Sequence, residues 1–320
     1  MRFVAWKRRA TIVVALTCTI IQCPLPCLSQ PSADSVSVVN STTLVKQQRN
    51  VVQDVVQDVA QVFGNDVLLG LKSVGRYVTA PLRFSSTDWL ATASVLGGTA
   101  TLMPADEPLN QTMLRNQTSV ANSLAEGGRV YGELWTAVGL SVGAYALGMA
   151  VHNDDVRVTG RLLAEALVCA GLTTTLLKSA FGRARPYNEV GAFVFQPPQL
   201  TNDAFLSLPS GHTTVAFALS SVLAERIGNP LVSIGLYGLA ALTGLSRMYH
   251  TRHWASDVLL GAAIGTSAGL AVTAWERERA SQSPAAAQHT VRVCPMISPL
   301  QTDVYYTGIG LTVMLGTVAQ

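Results

Sequence analysis

Ser246-Arg247-Met248-Tyr249-His250-Thr251-Arg252-His253-Trp254-Ala255-Ser256-Asp257 is the stretch on which the reading of this chain turns. It lies between two apolar runs, 231–245 and 258–275, so a dense polar cluster falls where helices come to an end. His253 and Asp257 are four apart, a spacing that puts them on one face if the segment is helical. A carboxylate placed there can accept the Nδ1–H of the imidazole and leave Nε2 basic and outward-facing. Arg247 adds a permanent planar cation suited to phosphate oxygens. The same pair also fits an ordinary surface ion pair, so the rest of the chain has to decide.

Composition narrows the choice. Of 320 residues, 49% are apolar and only 13% charged, and the net charge is +3. The charged share is about half that of soluble domains, and the mean hydropathy is +0.33. Together these predict a membrane protein or a very apolar helical one. No basic stripe accompanies the small net charge, which excludes a nucleic-acid partner.

Working outward, the apolar segments 89–103, 135–151, 162–177, 213–223, 231–245 and 258–275 predict an all-α bundle of about six core helices, rich in Gly and Ala. Residues 104–134 and 184–210 read as polar loops. Nearer the start, 51–63 repeats apolar pairs every four residues, the stripe of an amphipathic helix, with Asp and Gln on its polar face. That polarity favours packing on the core over a membrane surface, which would call for Lys and Arg. Residues 1–29 have the basic, apolar and small-residue order of a secretory signal. This segment holds Cys18, Cys23 and Cys27, leaving Cys169 and Cys294, too few for a disulfide framework. The expected organisation is 1–29 signal peptide, 30–84 linker and amphipathic helix, 85–279 catalytic-type domain, and 280–320 linker and strand-like tail. The tail's two strand-like runs predict a small β-hairpin.

Two further polar clusters sit at helix ends. One is Lys178-Ser179-Ala180-Phe181-Gly182-Arg183-Ala184-Arg185-Pro186. Lys178 and Arg185 are seven apart, about two turns, which predicts a shared helix face carrying two cations that repel unless an anion sits between them. A positive anchor flanking a membrane helix is the alternative. The other cluster is Pro209-Ser210-Gly211-His212-Thr213, opening a helix. Its glycine lets backbone N–H groups converge at a helix N-terminus, and a hydroxyl and an imidazole join them, which makes an oxyanion cradle with a proton donor. A plain Ser N-cap beside an incidental His is the other reading.

Taken together the clusters read Lys-x6-Arg-Pro, Pro-Ser-Gly-His and Ser-Arg-x5-His-x3-Asp, separated by 22 and 33 residues. This three-part pattern resembles the type 2 phosphatidic acid phosphatase (PAP2) superfamily, which also holds bacterial acid phosphatases and vanadium haloperoxidases. The resemblance covers about residues 85–277 and meets every fixed position. It implies that His253 attacks phosphorus to form a phosphohistidine while Asp257 holds its ring. It implies that Lys178, Arg185, Arg247, Ser210 and the Gly211 N–H clamp the phosphoryl oxygens, and that His212 protonates the leaving alkoxide. No metal and no cofactor are implied. Arg183, His250 and Arg252 match no fixed position.

Apolar helices around every motif place the chain nearest the membrane lipid phosphatases of that superfamily. A lipid phosphomonoester or diphosphate is the expected substrate, and the cell envelope the expected location, with the protein exported, inner-membrane-associated and its site facing the periplasm. A soluble periplasmic acid phosphatase is the runner-up and a vanadate-dependent haloperoxidase the third reading. The loop 187–208, with Phe193, Phe195 and Phe205, is either an apolar lip for lipid chains or a packed surface loop.

Overall fold

The structure, a computed structural model, describes residues 41–282. The signal segment and the strand-like tail lie outside the described residues. In chain order the helices are α1 (Ser41–Val78), α2 (Ser86–Leu102), α3 (Asp106–Arg115), α4 (Ser119–Tyr131), α5 (Leu134–Ala150), α6 (Asp154–Phe181), α7 (Gly211–Ile227), α8 (Pro230–Tyr249) and α9 (Ala255–Gln282). Among the described residues there is no sheet, only an isolated bridge between Arg183 and Phe195. The fold is all-α. The described residues from 58 onward form one compact unit, which carries every candidate site residue.

Local chemistry sets the helix boundaries. Ser85 and Asp88 form a reciprocal capping box at the start of α2, and Thr118, Asn153 and Asn229 cap α4, α6 and α8 with side-chain oxygens. Each cap satisfies backbone N–H groups that the first turn leaves without partners. Pro230 follows Asn229 at the first helical position, where its missing N–H costs nothing. α6 and α7 stop at Gly182 and Gly228, both left-handed, a conformation that glycine adopts without penalty.

Two expectations are corrected here. Residues 104–134 contain α3 and α4, not a loop. Their polar surfaces hide them in the sequence, but Asp106 and Glu107 favour the first turn of α3, where a helix N-terminus attracts negative charge. The amphipathic segment 51–63 belongs to the longer α1, and the end of its stripe is not buried as expected: Val59 is 48% and Phe63 56% exposed, with Phe63 only edge-on to Tyr145 at 6.2 Å. Docking occurs further on, where Asp66 and Ser73 are buried and Val74 and Tyr77 pack against the apolar core.

The centre of the bundle is the pairing of α9 with α7. Gly261, Gly265 and Gly269 form one stripe on α9, and a Cβ at each would come within 2.6, 2.3 and 2.6 Å of Ser210 O, Thr214 O and Ser221 Cβ. Small residues four apart let two backbones approach closely, the standard device of helix pairs in lipid. Around this seam Leu162, Ala166, Cys169, Leu219, Ile264 and Val272 build a buried core of aliphatic and small side chains.

α6, α8 and α9 are long and apolar enough to cross a membrane. Large apolar side chains on α6 and α8, among them Leu176, Leu231 and Ile234, point outward with more than two-thirds of their surface exposed. In water such exposure is costly, whereas in a bilayer it is the expected lipid-facing surface.

Candidate active site

The end of α6, the start of α7, the end of α8 and the start of α9 lie at one end of the bundle, so the three sequence clusters meet there. Ser210 N donates to Asp257 O at 3.0 Å, and the position of a Cβ on Gly211 lies 3.9 Å from Lys178 Cε. Thr174 Oγ1 donates to Thr214 Oγ1 at 3.2 Å, holding α6 against α7 one turn below.

Lys178 sits in the last turn of α6, and its ammonium donates to the Leu206 and Ser207 carbonyls. Arg185 does not share a helix face with it, contrary to expectation. The helix has already ended at Gly182 (φ 57°), and Arg185 reaches the site from the extended segment beyond. One Arg185 nitrogen donates to the exposed Asp203 carboxylate at 2.6 Å, and its buried Nε has no partner. Arg247, 6% exposed, comes from the last turn of α8; its Nε and one terminal nitrogen are buried without hydrogen-bond partners. A guanidinium in that state calls for an anion. Ser210 occupies the N-cap of α7 without capping it, and its Oγ accepts from Thr213 Oγ1 at 2.9 Å. Gly211 and His212 form the first turn of α7.

His253 and Asp257 are both buried. His253 lies before α9, which begins at Ala255, so the pair is not on one helix. Asp257 Oδ2 is 3.7 Å from His253 Nδ1, beyond hydrogen-bond reach. Nδ1 lies instead 2.8 Å from the Ser207 carbonyl oxygen. A carbonyl can only accept, so Nδ1 carries the proton and Nε2 keeps the lone pair.

Burial pushes the His253 imidazole down to about 3, with Lys178 and Arg185 acting in the same direction against Asp257. Burial also pushes His212 down to about 4, helped by Arg247, Arg129, Arg185 and Lys178. Both rings are neutral at pH 7. Among the described residues, no group of three or more His, Cys, Asp or Glu side chains is arranged to hold a metal ion.

Sequence reasoning misses what surrounds Asp257. Arg183, which matches no fixed position of the motifs, is completely buried. It donates to Asp257 Oδ1 at 2.7 Å, Ser256 Oγ at 2.6 Å and Asp106 Oδ2 at 2.7 Å. Its guanidinium carbon lies over the rings of Phe195 and Trp254, 5.7 Å from each centroid. Its only signal in the sequence is an additional arginine in a run already rich in cations. Asp106 has none, because its helix reads as a loop. The loop 187–208 folds back on 182–185 through Ala184 N to Val194 O and Gln196 N to Gly182 O, at 2.9 and 2.8 Å. These bonds hold the middle of the loop against 182–185, while Val190, Phe193 and Leu200 project with 49%, 60% and 78% of their surface exposed.

The three clusters thus form a cationic, histidine-bearing cage at one end of an apolar helical bundle. Residues 159–281, which contain all eight candidate site residues, match the family model described as PAP2 superfamily. The chain is 40% identical over 94 residues to a lipid A 1-phosphatase of Porphyromonas gingivalis, covering 29% of this chain and 18% of that one. It is 36% identical over 108 residues to a lipid A 1-phosphatase of Rhizobium etli, covering 33% and 45%. The chain thus spans less than half the length of these relatives. A crystal structure of a transmembrane PAP2-type phosphatidylglycerolphosphate phosphatase from Bacillus subtilis aligns with TM-score 0.48 and 22% identity, over 58% of this chain and 94% of that one.

Proposed function

We propose that this protein is a metal-independent phosphatase that hydrolyses a phosphomonoester or diphosphate of a membrane lipid through a phosphohistidine. One observation carries the reading: Lys178, Arg185 and the unpartnered Arg247 converge around a helix N-terminus, and among the described residues the exposed Asp203 is the one carboxylate paired with them. Such a cage is complementary to the equatorial oxygens of a transferring phosphoryl group.

His253 Nε2 attacks phosphorus in line with the ester oxygen. A nitrogen–phosphorus bond forms as the phosphorus–oxygen bond breaks, and the leaving alkoxide takes a proton from protonated His212. Neutral His212 then removes a proton from water. That water attacks the phosphohistidine, inorganic phosphate leaves, and both rings regain their starting states. Ser210 and the Gly211 N–H supply further contacts to the oxygens, and Asp257 keeps the ring aligned.

A lipid substrate follows from the site lying at the end of apolar helices, and the two curated relatives named above are lipid A phosphatases. Domain limits of 85–279 and an exported, periplasm-facing site belong to the same reading. The test is phosphate release from a panel of lipid and soluble phosphomonoesters, with and without detergent, for the wild type and His253→Ala. Turnover of lipid phosphates that survives EDTA and vanishes in His253→Ala supports the proposal. Wild-type turnover in His253→Ala, or loss of activity with EDTA, overturns it. Preference for soluble esters without detergent favours the acid-phosphatase alternative.

A further inference from the structure

The cage explains how a phosphoryl group is held but not what aims the nucleophile. A buried neutral imidazole with one nitrogen committed to a backbone carbonyl is only as well placed as that carbonyl. Two elements must therefore be fixed relative to each other: the Ser207 main chain and the segment carrying His253.

Asp257 joins them. Its Oδ2 accepts from Ser207 Oγ at 2.5 Å and from Trp254 N at 2.9 Å, so one carboxylate oxygen grips both the residue that receives the His253 proton and the residue next to His253. Its Oδ1 accepts from Arg183 at 2.7 Å. Arg183 is held in turn by Asp106 Oδ2 and by the Ala192 carbonyl at 2.9 Å. Asp106 also takes Ser256 N at 2.9 Å and Ser256 Oγ at 2.5 Å, anchoring the first turn of α9. Asp106, Arg183 and Asp257 are all fully buried.

Here one guanidinium bridges two carboxylates, and its bonds tie α3 and the Ala192 segment to the start of α9, just beyond His253. Burying a second carboxylate is costly unless all of its hydrogen bonds are made, and here they are. Asp106 comes from α3, outside the segment that matches the PAP2 model.

We propose that Asp106, acting through Arg183 and Asp257, and Ser207, acting through its hydroxyl, are positioning residues that lock His253 in the Nδ1–H form with Nε2 facing the phosphoryl site. The chemical consequence rests on the phosphatase reading; the lock itself does not. Asp106→Asn keeps the shape and loses the charge, and Ser207→Ala keeps the carbonyl and loses the tether to Asp257.

The test uses the full chain in detergent, with 15N-labelled histidine rings, alongside kcat and KM for a lipid phosphate. Wild-type His253 is expected to show a single Nδ1–H tautomer at neutral pH. Each variant is expected to show mixed tautomers, with kcat down about 10- to 100-fold and KM within about twofold, the pattern of lost transition-state alignment. Arg183→Gln is expected to give the same mixed tautomers where it folds. A pure Nδ1–H tautomer in Asp106→Asn and Ser207→Ala overturns the proposal whatever the activity. Unchanged kcat in both, with tautomers mixed, overturns its chemical part. Mixed tautomers in variants of a wild type that releases no phosphate would keep the lock and sink the phosphatase reading instead.

Discussion

At the scale of single residues, the two histidines of the site are tuned for different tasks. His253 must be neutral to attack, and burial keeps it neutral down to about 3. His212 must be protonated to donate, yet the free site holds it near 4 because burial and the surrounding cations both oppose a further positive charge. Bound phosphate reverses the second of these causes, since a dianion cancels the field of Arg247, Arg185 and Lys178. The sign follows: anion binding raises the His212 value, so between about 4 and neutrality binding takes up a proton. Calorimetric titration of phosphate at pH 6, in buffers of different ionisation enthalpy, should show the wild type taking up close to one proton more than His212→Asn, a difference from which the ligand's own ionisation cancels. Equal net proton exchange in the two proteins would contradict the general-acid role. Lys178, Arg185, Ser210, Gly211, His212, Arg247, His253 and Asp257 are all legible in the sequence because each lies within a short motif. Arg183 and Asp106 are not: they join segments 77 residues apart, and no local spacing encodes a partner that distant.

At the scale of elements, the site depends on how closely α9 approaches α7. The six apolar segments are legible because continuous apolar runs survive any choice of which face is buried. α3 and α4 are not, since Asp106, Glu107 and the polar residues around them look like loop until a tertiary partner claims them. The glycine stripe makes the dependence testable. A Cβ at position 265 would sit 2.3 Å from Thr214 O and 2.8 Å from Ala218 N, both backbone atoms that cannot rotate away. Gly265→Val should therefore force the helices apart and destabilise the protein by about 3 kcal/mol or more, at or above the upper end for overpacked cores. Gly235→Ala on α8, where nothing lies within 4 Å, should be nearly neutral. Thermal midpoints in one detergent would check the contrast, and equal midpoints would show that the seam is not tight.

At the scale of the whole molecule, charge is concentrated at both ends of an apolar bundle, but the two concentrations serve different purposes. Opposite the site, Arg161 of α6 meets Asp66 of α1, Glu165 and Glu276 of α9 at 3.2, 2.8 and 2.8 Å, and Arg157 also pairs with Asp66. Arg161 and Lys178 lie on one helix, 17 residues apart, which is about 25 Å at the helical rise per residue. The phosphoryl cage leaves cations without carboxylates; this cluster gives every arginine at least one. It therefore calls for no ligand and acts as a clasp between α1, α6 and α9. Removing one partner of a buried pair strands the other and costs about 3–5 kcal/mol, so Asp66→Ala should lower the thermal midpoint and loosen α1 to proteolysis. Nothing in the clasp touches the cage, so kcat per folded molecule should match the wild type, whereas Asp106→Asn should lower kcat per folded molecule whatever it does to the thermal midpoint. A kcat loss in Asp66→Ala comparable to that of Asp106→Asn would mean that the two ends are coupled through α6, and that the clasp belongs to the catalytic apparatus after all.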